Sequence, residues 1–569
     1  MLRRLIGNLF GHNASAGSTA QQPDTSLRQA LALFRQRDYA SAEELCEQIS
    51  ARDPAAVGPW ELLGAIAFEC GDSELARERF EAALRLAGDR LQALCNAAEA
   101  NRQAGGHARA LELTARALAL DPENGPAMHI RALALQSCWR MDEALALYRR
   151  LVESHPGLAA PYASYLFLLA LLGADAQTVR EAHCRWAREQ AEPLRAGMAG
   201  HVNSRDPRRR LRIGYVSADF REHALSSFIE PILARHDRDG FEIHCYSSTE
   251  NIDATTARLR ARTDGWCDIR WQDDAAVADL IRADAIDILV DLSGHTSGNR
   301  LGVFARKPAP VQITYLGYPS TTGMSAMDWR LTDGIADPAG TSERYYTERL
   351  LRLPHSLWCY QPSAAMPEPG PPPALSRGGI TFGSPNSLFK LTPHIIAPWS
   401  RLLLSVPGSR LLLATIPDGE ARERILADFA RHGVPAESLS IRAPLPREGF
   451  WALYREIDLA LDTWPCNGGA TTCETLWSGV PVVSLAGELF QSRAGFSLLS
   501  AIGLPELVAH TEEEYLRIAR ELAADRGRLS QLRQGMRQRM RASRLMDATS
   551  FARDLEALYR SAWQDWCDA

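Results

Sequence analysis

The chain has no stretch approaching 18 consecutive apolar residues in its 569, so nothing in it is expected to span a membrane. No two of its eleven cysteines stand at CxxC spacing, which argues against a zinc site and for reduced thiols in a cytosol. Positive charge is not in surplus: 63 lysines and arginines stand against 69 aspartates and glutamates, a net charge of −6, so no basic field points to nucleic acid. A signal-peptide apolar region is also missing, because Asn8 and the polar run from Gly11 to Pro23 interrupt Met1-Leu2-Arg3-Arg4-Leu5-Ile6. Asn13-Ala14-Ser15 fits a glycosylation sequon, which the expected cytoplasmic location makes irrelevant. What is present, 46% apolar and 23% charged residues, describes a globular protein long enough for three or four domains.

Residues 24 to about 190 carry an internal repeat. Small residues recur every 34 positions at Ala30, Gly64, Ala98 and Ala132, and again at Ala42, Ala76, Ala110 and Ala144. Pro54, Gly88, Pro122 and Pro156 mark repeat ends with the same step. This is the tetratricopeptide period: small residues let the two helices of a repeat approach, and large ones such as Trp60 and Phe80 fill between repeats. A fifth, weaker unit starts near Pro161-Tyr162. Such an array does no chemistry; it offers a concave surface to a peptide or a partner.

After the charged junction Arg205–Arg210, read as a solvated linker, the composition switches to alternating strands and helices. Leu211–Ser217, Phe241–Tyr246, Ile286–Leu292 and Val311–Leu316 read as strands, and Ala224–His236 as a helix. The pattern argues for a parallel sheet, whose strand-end loops bind ligands. Six prolines between Gln361 and Gly379 predict an extended bridge to a second α/β run. That run includes the strands Ile380–Gly383 and Arg410–Ala414 and the helices Pro393–Ser405 and Glu420–His432. The amphipathic tail Thr549–Trp566 puts Phe551, Leu555, Leu558 and Ala562 on one face.

The stretch Asp462–Leu485 organises this second half. An apolar run ending at Asp462 leads into a loop with Pro465, Gly468 and Gly469, then helix-like Ala470–Ser478, then the strand Pro481–Leu485. A strand, glycine loop and helix in that order place a helix N-terminus under an anion, with Thr471 and Thr472 in the first turn. An ordinary tight turn between strand and helix has the same composition.

The motifs GYVSADFREH (Gly214–His223), DLSGHTSGNRL (Asp291–Leu301) and RKPAPVQITYLGYPSTTG (Arg306–Gly323) stand in the first α/β run. NSLFK (Asn386–Lys390), DTWPCNGGATTCETLWSGVPVV (Asp462–Val483) and GELFQSRAG (Gly487–Gly495) stand in the second. On these six motifs, in this order, the chain resembles the O-linked N-acetylglucosamine transferase family, including its SPINDLY branch and bacterial homologues. The resemblance implies an α-solenoid followed by a GT-B glycosyltransferase with two Rossmann-like lobes. The expected domains are a tail over 1–23, repeats over 24–204, lobes over 205–360 and 380–548 joined by the linker 361–379, and a terminal helix over 549–569.

It also implies inverting, metal-independent transfer of a sugar from a nucleotide donor, with no cofactor, to Ser or Thr hydroxyls of a polypeptide held along the repeat groove. Lys390 matches the family lysine at the diphosphate, although one lysine after a strand-end loop can equally be a surface residue. His223 matches a histidine proposed as catalytic base, His295 sits at a strand end facing the same cleft and is a candidate donor contact, and Leu316, Gly317, Pro319 and Cys466 match the acyl pocket of the sugar. Asn467, Gly468, Gly469, Ala470, Thr471 and Thr472 match the phosphate-binding helix start, and Glu474 an acid at the ribose. Departures from animal members are Gly469 for a histidine, Ala470 for a threonine, Ser387 for a glutamine, Arg447 for the lysine of the base-binding loop and Phe450 for a histidine on the uracil. The resemblance favours UDP-GlcNAc as donor. The TTCETL wording leans toward the SPINDLY branch and GDP-fucose, and a repeat scaffold that binds nucleotide with little turnover is a third possibility. An enzyme of small-molecule metabolism fits the fused repeats poorly.

Overall fold

The computed structural model describes residues 25–195 and 200–569; the expected tail over 1–23 and the sequon at Asn13 lie outside them. The chain divides into two compact units, one ending at Pro161 and the other running from Tyr162 to Ala569. In the first, four helix pairs follow one another: Thr25–Arg35 with Tyr39–Arg52, Val57–Glu69 with Ser73–Ala87, Leu91–Gln103 with His107–Leu120, and Gly125–Ser137 with Met141–Ser154. The 34-residue series explains the packing. Ala30, Ala98 and Ala132 are fully buried, as are Ala42, Ala76, Ala110 and Ala144. At Gly64 even a methyl group would meet the Phe80 ring at 2.8 Å, so glycine is required by close approach. The helix starts repeat as well: the carboxylates of Asp38 and Asp72, 34 apart, accept the amides of Ser41 and Leu75.

The second unit contains two parallel sheets. The first lobe has β1 (Leu211–Ser217), β2 (Phe241–Ser247), β3 (Gly265–Asp268), β4 (Ile288–Asp291), β5 (Val311–Thr314), β6 (Trp329–Asp333) and β7 (Arg349–Leu353), in the order β3-β2-β1-β4-β5-β6-β7. The second has β8 (Thr381–Ser384), β9 (Arg410–Leu413), β10 (Leu439–Ile441), β11 (Leu459–Leu461), β12 (Val482–Leu485) and β13 (Val508–Ala509), in the order β10-β9-β8-β11-β12-β13. Each paired neighbour runs parallel, and the order reverses beside β1 in one sheet and β8 in the other. Such reversal points open crevices at the strand C-termini. This is the two-lobed GT-B arrangement.

Three differences from the sequence expectations have physical causes. The helix expected over Ala224–His236 is shorter, Ser226–Leu233, because residues up to Leu225 are taken up by the loop after β1. The proline-rich bridge holds a short helix, Ala374–Arg377, stopped by Gly378 at φ +81°. The segment expected to close the repeat domain at 204 packs within the second unit. On helix Ala176–Trp186, His183 accepts a hydrogen bond from Tyr318 Oη at 2.8 Å, and Trp186 meets the ring of His295 edge-on at 4.4 Å. The last helix, Ala548–Asp568, returns to the first lobe, where Glu556 bonds His236 at 2.8 Å and Tyr559 meets Tyr215 at 3.0 Å.

The lobes meet through polar contacts. Ser497 donates its hydroxyl to Asp333 at 2.5 Å, and Arg493 donates to the Ile335 carbonyl at 2.9 Å. The buried Arg330 guanidinium lies over the Phe490 ring at 4.8 Å.

Candidate active site

Asp462 directly follows β11 and is 2% exposed. One carboxylate oxygen accepts the amides of Thr463 at 3.0 Å and Gly468 at 2.7 Å; the other accepts the Ser484 hydroxyl of β12 at 2.7 Å. Strand end and helix start are thus tied to one group. Burial pushes this carboxyl up to about 6, against the pull of those bonds and of Lys390. The first lobe repeats the device: Asp291 ends β4, accepts the amides of Ser293 and Gly294 and the Thr314 hydroxyl, and is likewise raised to about 6 by burial.

The loop held by Asp462 delivers helix Ala470–Trp477. Its N-cap is Gly469 and no side chain caps it, so its first-turn N–H groups are left for a ligand. Thr472 is buried and Ala470 and Thr471 are half-buried. Gly468 admits no side chain, since a methyl group there would lie 2.4 Å from Thr472 Oγ1. Asn467 braces the turn: its side chain donates to the Thr463 carbonyl at 2.8 Å and accepts the Gly495 amide at 3.2 Å. Cys466 is buried, which raises its thiol. The turn Leu388–Lys390 follows β8 and the exposed Ser387, and points Lys390 Nζ at the Asn467 carbonyl, 2.6 Å away. An ammonium and an uncapped helix start therefore meet at one loop.

Glu474 lies one turn into the helix. Burial raises its carboxyl, Arg447 opposes the rise, and Tyr454 Oη donates to it at 3.4 Å. Phe450 stands edge-on to Tyr454 at 5.7 Å. Arg447 stacks over Trp451 and reaches across to the first lobe, where it pairs with Glu222 at 2.5 Å. That bridge is exposed, with side chains 34% and 55% accessible, so it is worth at most ~1 kcal/mol. Glu222→Gln is expected to change affinity for a nucleoside diphosphate by no more than about fivefold. Arg447→Met should weaken it further, because Glu474 loses its only opposing cation; calorimetry on both variants checks the ranking.

Next to Glu222, His223 is 40% accessible. Its Nδ1 accepts the Leu225 amide at 3.3 Å and lies 3.7 Å from Asp219. Burial lowers its pKa and Asp219 partly restores it, so the imidazole is neutral at pH 7. With Nδ1 accepting, the proton sits on Nε2 and faces outward as a donor; the other tautomer points Nδ1–H at Asp219 and leaves Nε2 a base. Leu316 adopts φ +62°, a strained conformation for a branched side chain, and Gly317 has the Leu292 carbonyl 2.0 Å from where a methyl group would stand. Pro319 is half-buried, and Tyr318 between them is buried with its hydroxyl bonded to His183. His295 is 2% exposed and donates Nε2–H to the Thr322 carbonyl at 2.9 Å. Burial drives it down to about 3, so it is a neutral ring packed among Trp186, His183 and Tyr318, with Nδ1 unpartnered.

Sequence reasoning passed over two residues. Asp462 was legible as an acid at a strand end before a glycine loop. Trp358 was not: it precedes the proline bridge in the first lobe, yet its ring lies 3.5 Å from where a side chain on Gly469 would begin and 6.4 Å from Phe490, both in the second lobe. A further signal for Lys390, which the sequence already offered as the lysine at the diphosphate, is scarcity. Only two of the 63 basic residues are lysines; Lys307 is tied to Asp328 and the Ala326 carbonyl, which leaves Lys390. Among the described residues no three His, Cys, Asp or Glu side chains are grouped to hold a metal ion.

The sequence profile described as Glycosyl transferase family 41 matches residues 159–366 and 374–555, which takes in both lobes and every residue of this loop cluster. The chain belongs to glycosyl transferase family 41. It is 42% identical over 373 residues to the Petunia hybrida protein named probable UDP-N-acetylglucosamine--peptide N-acetylglucosaminyltransferase SPINDLY, covering 64% of this chain and 40% of the relative. To the Arabidopsis thaliana protein of the same name ending in SEC it is 32% identical, covering 63% and 38%. A solved mutant O-GlcNAc transferase of Thermobaculum terrenum superposes with a TM-score of 0.84 at 36% identity, over 91% of this chain and 99% of that one. The chain thus spans about two fifths of the length of the curated relatives it matches. No helix among the described residues is long and apolar enough to cross a membrane.

Proposed function

We propose that this family 41 chain transfers N-acetylglucosamine from UDP-GlcNAc to Ser or Thr hydroxyls of polypeptides, by single displacement and without a metal. The observation that carries the reading is the uncapped start of helix Ala470–Trp477 with Lys390 at its threshold. Negative charge grows on the leaving diphosphate as the sugar bond breaks, and both groups are aimed at such charge. Glu474 and Arg447 take the nucleoside end, with Phe450 against the base. Cys466, Leu316, Gly317 and Pro319 line the sugar. His223 orients the donor or the acceptor hydroxyl through Nε2, or removes its proton in the other tautomer; a neutral ring suits either role. The helical repeats present the polypeptide. The names of the plant and Thermobaculum proteins agree with this donor and acceptor class.

A second reading is transfer of fucose from GDP-fucose. It draws on the TTCETL wording at Thr471–Leu476 and on the 42% identity to SPINDLY proteins against 32% to SEC. Incubation of the full chain with a mixture of unstructured Ser/Thr-rich polypeptides and each nucleotide sugar, read by mass spectrometry, separates the two. A mass increase with UDP-GlcNAc alone supports the first reading; an increase with GDP-fucose alone replaces it; none with either leaves a nucleotide-binding scaffold.

A further inference from the structure

No step of the proposed reaction uses Asp462, yet its carboxylate is buried and fully engaged. What it holds gives it a role. The Gly468 amide that donates to it at 2.7 Å and the Asn467 carbonyl that accepts from Lys390 Nζ at 2.6 Å belong to one peptide unit. That unit is trans, the cis bond in this loop being Trp464-Pro465. In a planar trans peptide the N–H and C=O point in opposite directions. Fixing the N–H on Asp462 therefore fixes the C=O on Lys390. Rotating the peptide by half a turn would set its carbonyl against the carboxylate and its N–H against the ammonium, two repulsive contacts in place of two hydrogen bonds.

We propose that Asp462 is the positioning residue for Lys390, acting through the Asn467–Gly468 peptide. The inference rests on the donor-site reading above. The carboxylate is an obligate acceptor, so it admits one orientation of the peptide. It also polarises that peptide, so the carbonyl holds the ammonium more firmly than a lone amide would. Ser484 locks the arrangement from β12 by donating to the second carboxylate oxygen. Gly495 leaves the space for it, since a methyl group there would stand 2.7 Å from Asp462 Oδ2. The ammonium is thus set against the uncapped helix start before any donor arrives, which is the preorganisation that charge stabilisation in a transition state requires.

Asp462→Asn tests this. It preserves size, but an amide can donate as well as accept, so both peptide orientations become available. With two lysines in the chain, the reactivity of Lys390 can be read directly. The full-length protein is treated with sulfo-N-hydroxysuccinimide acetate, with and without uridine diphosphate, and acetylation of Lys390 is mapped by mass spectrometry with Lys307 as internal reference. In Asp462→Asn, Lys390 should acetylate several-fold faster than in wild type, and kcat should fall on the order of a hundredfold, as for a catalytic group displaced by about an ångström. Melting temperature and affinity for uridine diphosphate should change far less, a split that a general loss of structure would not give. Ser484→Ala, which leaves the carboxylate in place, should give a smaller acceleration, and it carries the test if Asp462→Asn does not fold. Lys390 acetylation at the wild-type rate in the folded variant overturns the proposal. Failure of uridine diphosphate to protect Lys390 in the wild type would instead overturn the donor-site reading, while the nucleotide-free rates still decide the role of Asp462.

Discussion

Lys390→Met is expected to abolish transfer while the protein stays folded and keeps most of its affinity for the donor. Methionine approximates the length of the lysine stem, so the turn Leu388–Lys390 loses one hydrogen bond, to the Asn467 carbonyl, and one charge. Lys390 is half-buried at the end of a loop, so no core packing depends on it. In the ground state the diphosphate is shared with the N–H groups of helix Ala470–Trp477 and with solvent, and removing one cation costs little binding. In the transition state the leaving group gains charge, and the ammonium contributes more there than before. Deleting one such stabiliser costs roughly 3 to 4 kcal/mol, a hundred- to a thousandfold in kcat. Steady-state kinetics with calorimetric donor affinity measure the two quantities separately. Transfer at close to the wild-type rate would make Lys390 a surface lysine.

The second large effect concerns the repeats. Cutting the chain before Ala159 removes the four helix pairs and keeps helix Ala159–Leu171 whole. The remainder should fold, bind uridine diphosphate and hydrolyse donor slowly, but its kcat/KM for a polypeptide should fall by roughly a hundredfold or more, the advantage that a tethered second binding surface gives. A cut at 190 should behave differently. It strips His183 and Trp186 from Tyr318 and His295 and lays open the first lobe, so loss of folding is expected there. Thermal melts on both fragments, with peptide kinetics on the first, check this pair of outcomes. Undiminished transfer to polypeptides by the shorter fragment would remove the repeats from acceptor recognition.

The sequence made the fold visible wherever burial was one-sided and regular. The two alanine series spell out the repeat packing, because a position with room for one methyl group accepts little else. The central strands β1, β4 and β5 read as apolar runs because both faces are covered. The strands that escaped notice are those whose composition hides their setting. β3 is four partly exposed residues at a sheet edge, β6 carries Arg330 in full burial beneath Phe490, and β7 alternates at the opposite edge. The candidate site divides in the same way. Lys390, Asn467 and the helix start lie within two short motifs, so the sequence displays them. The contacts of Trp358 with Phe490 and of Glu222 with Arg447 span the lobes, and nothing local marks them. His295, read from the sequence as a ligand contact at a strand end, has its ring packed against Trp186 and Tyr318 with Nδ1 unpartnered, a setting no local pattern displays.

Whether a nucleoside diphosphate lies at the start of helix Ala470–Trp477 is decided by a crystal structure of the full chain with uridine diphosphate. The β-phosphate is expected within hydrogen-bond distance of the amides of Thr471 and Thr472 and of Lys390 Nζ, with the ribose toward Glu474. A diphosphate bound elsewhere, or none at a saturating concentration, would contradict it.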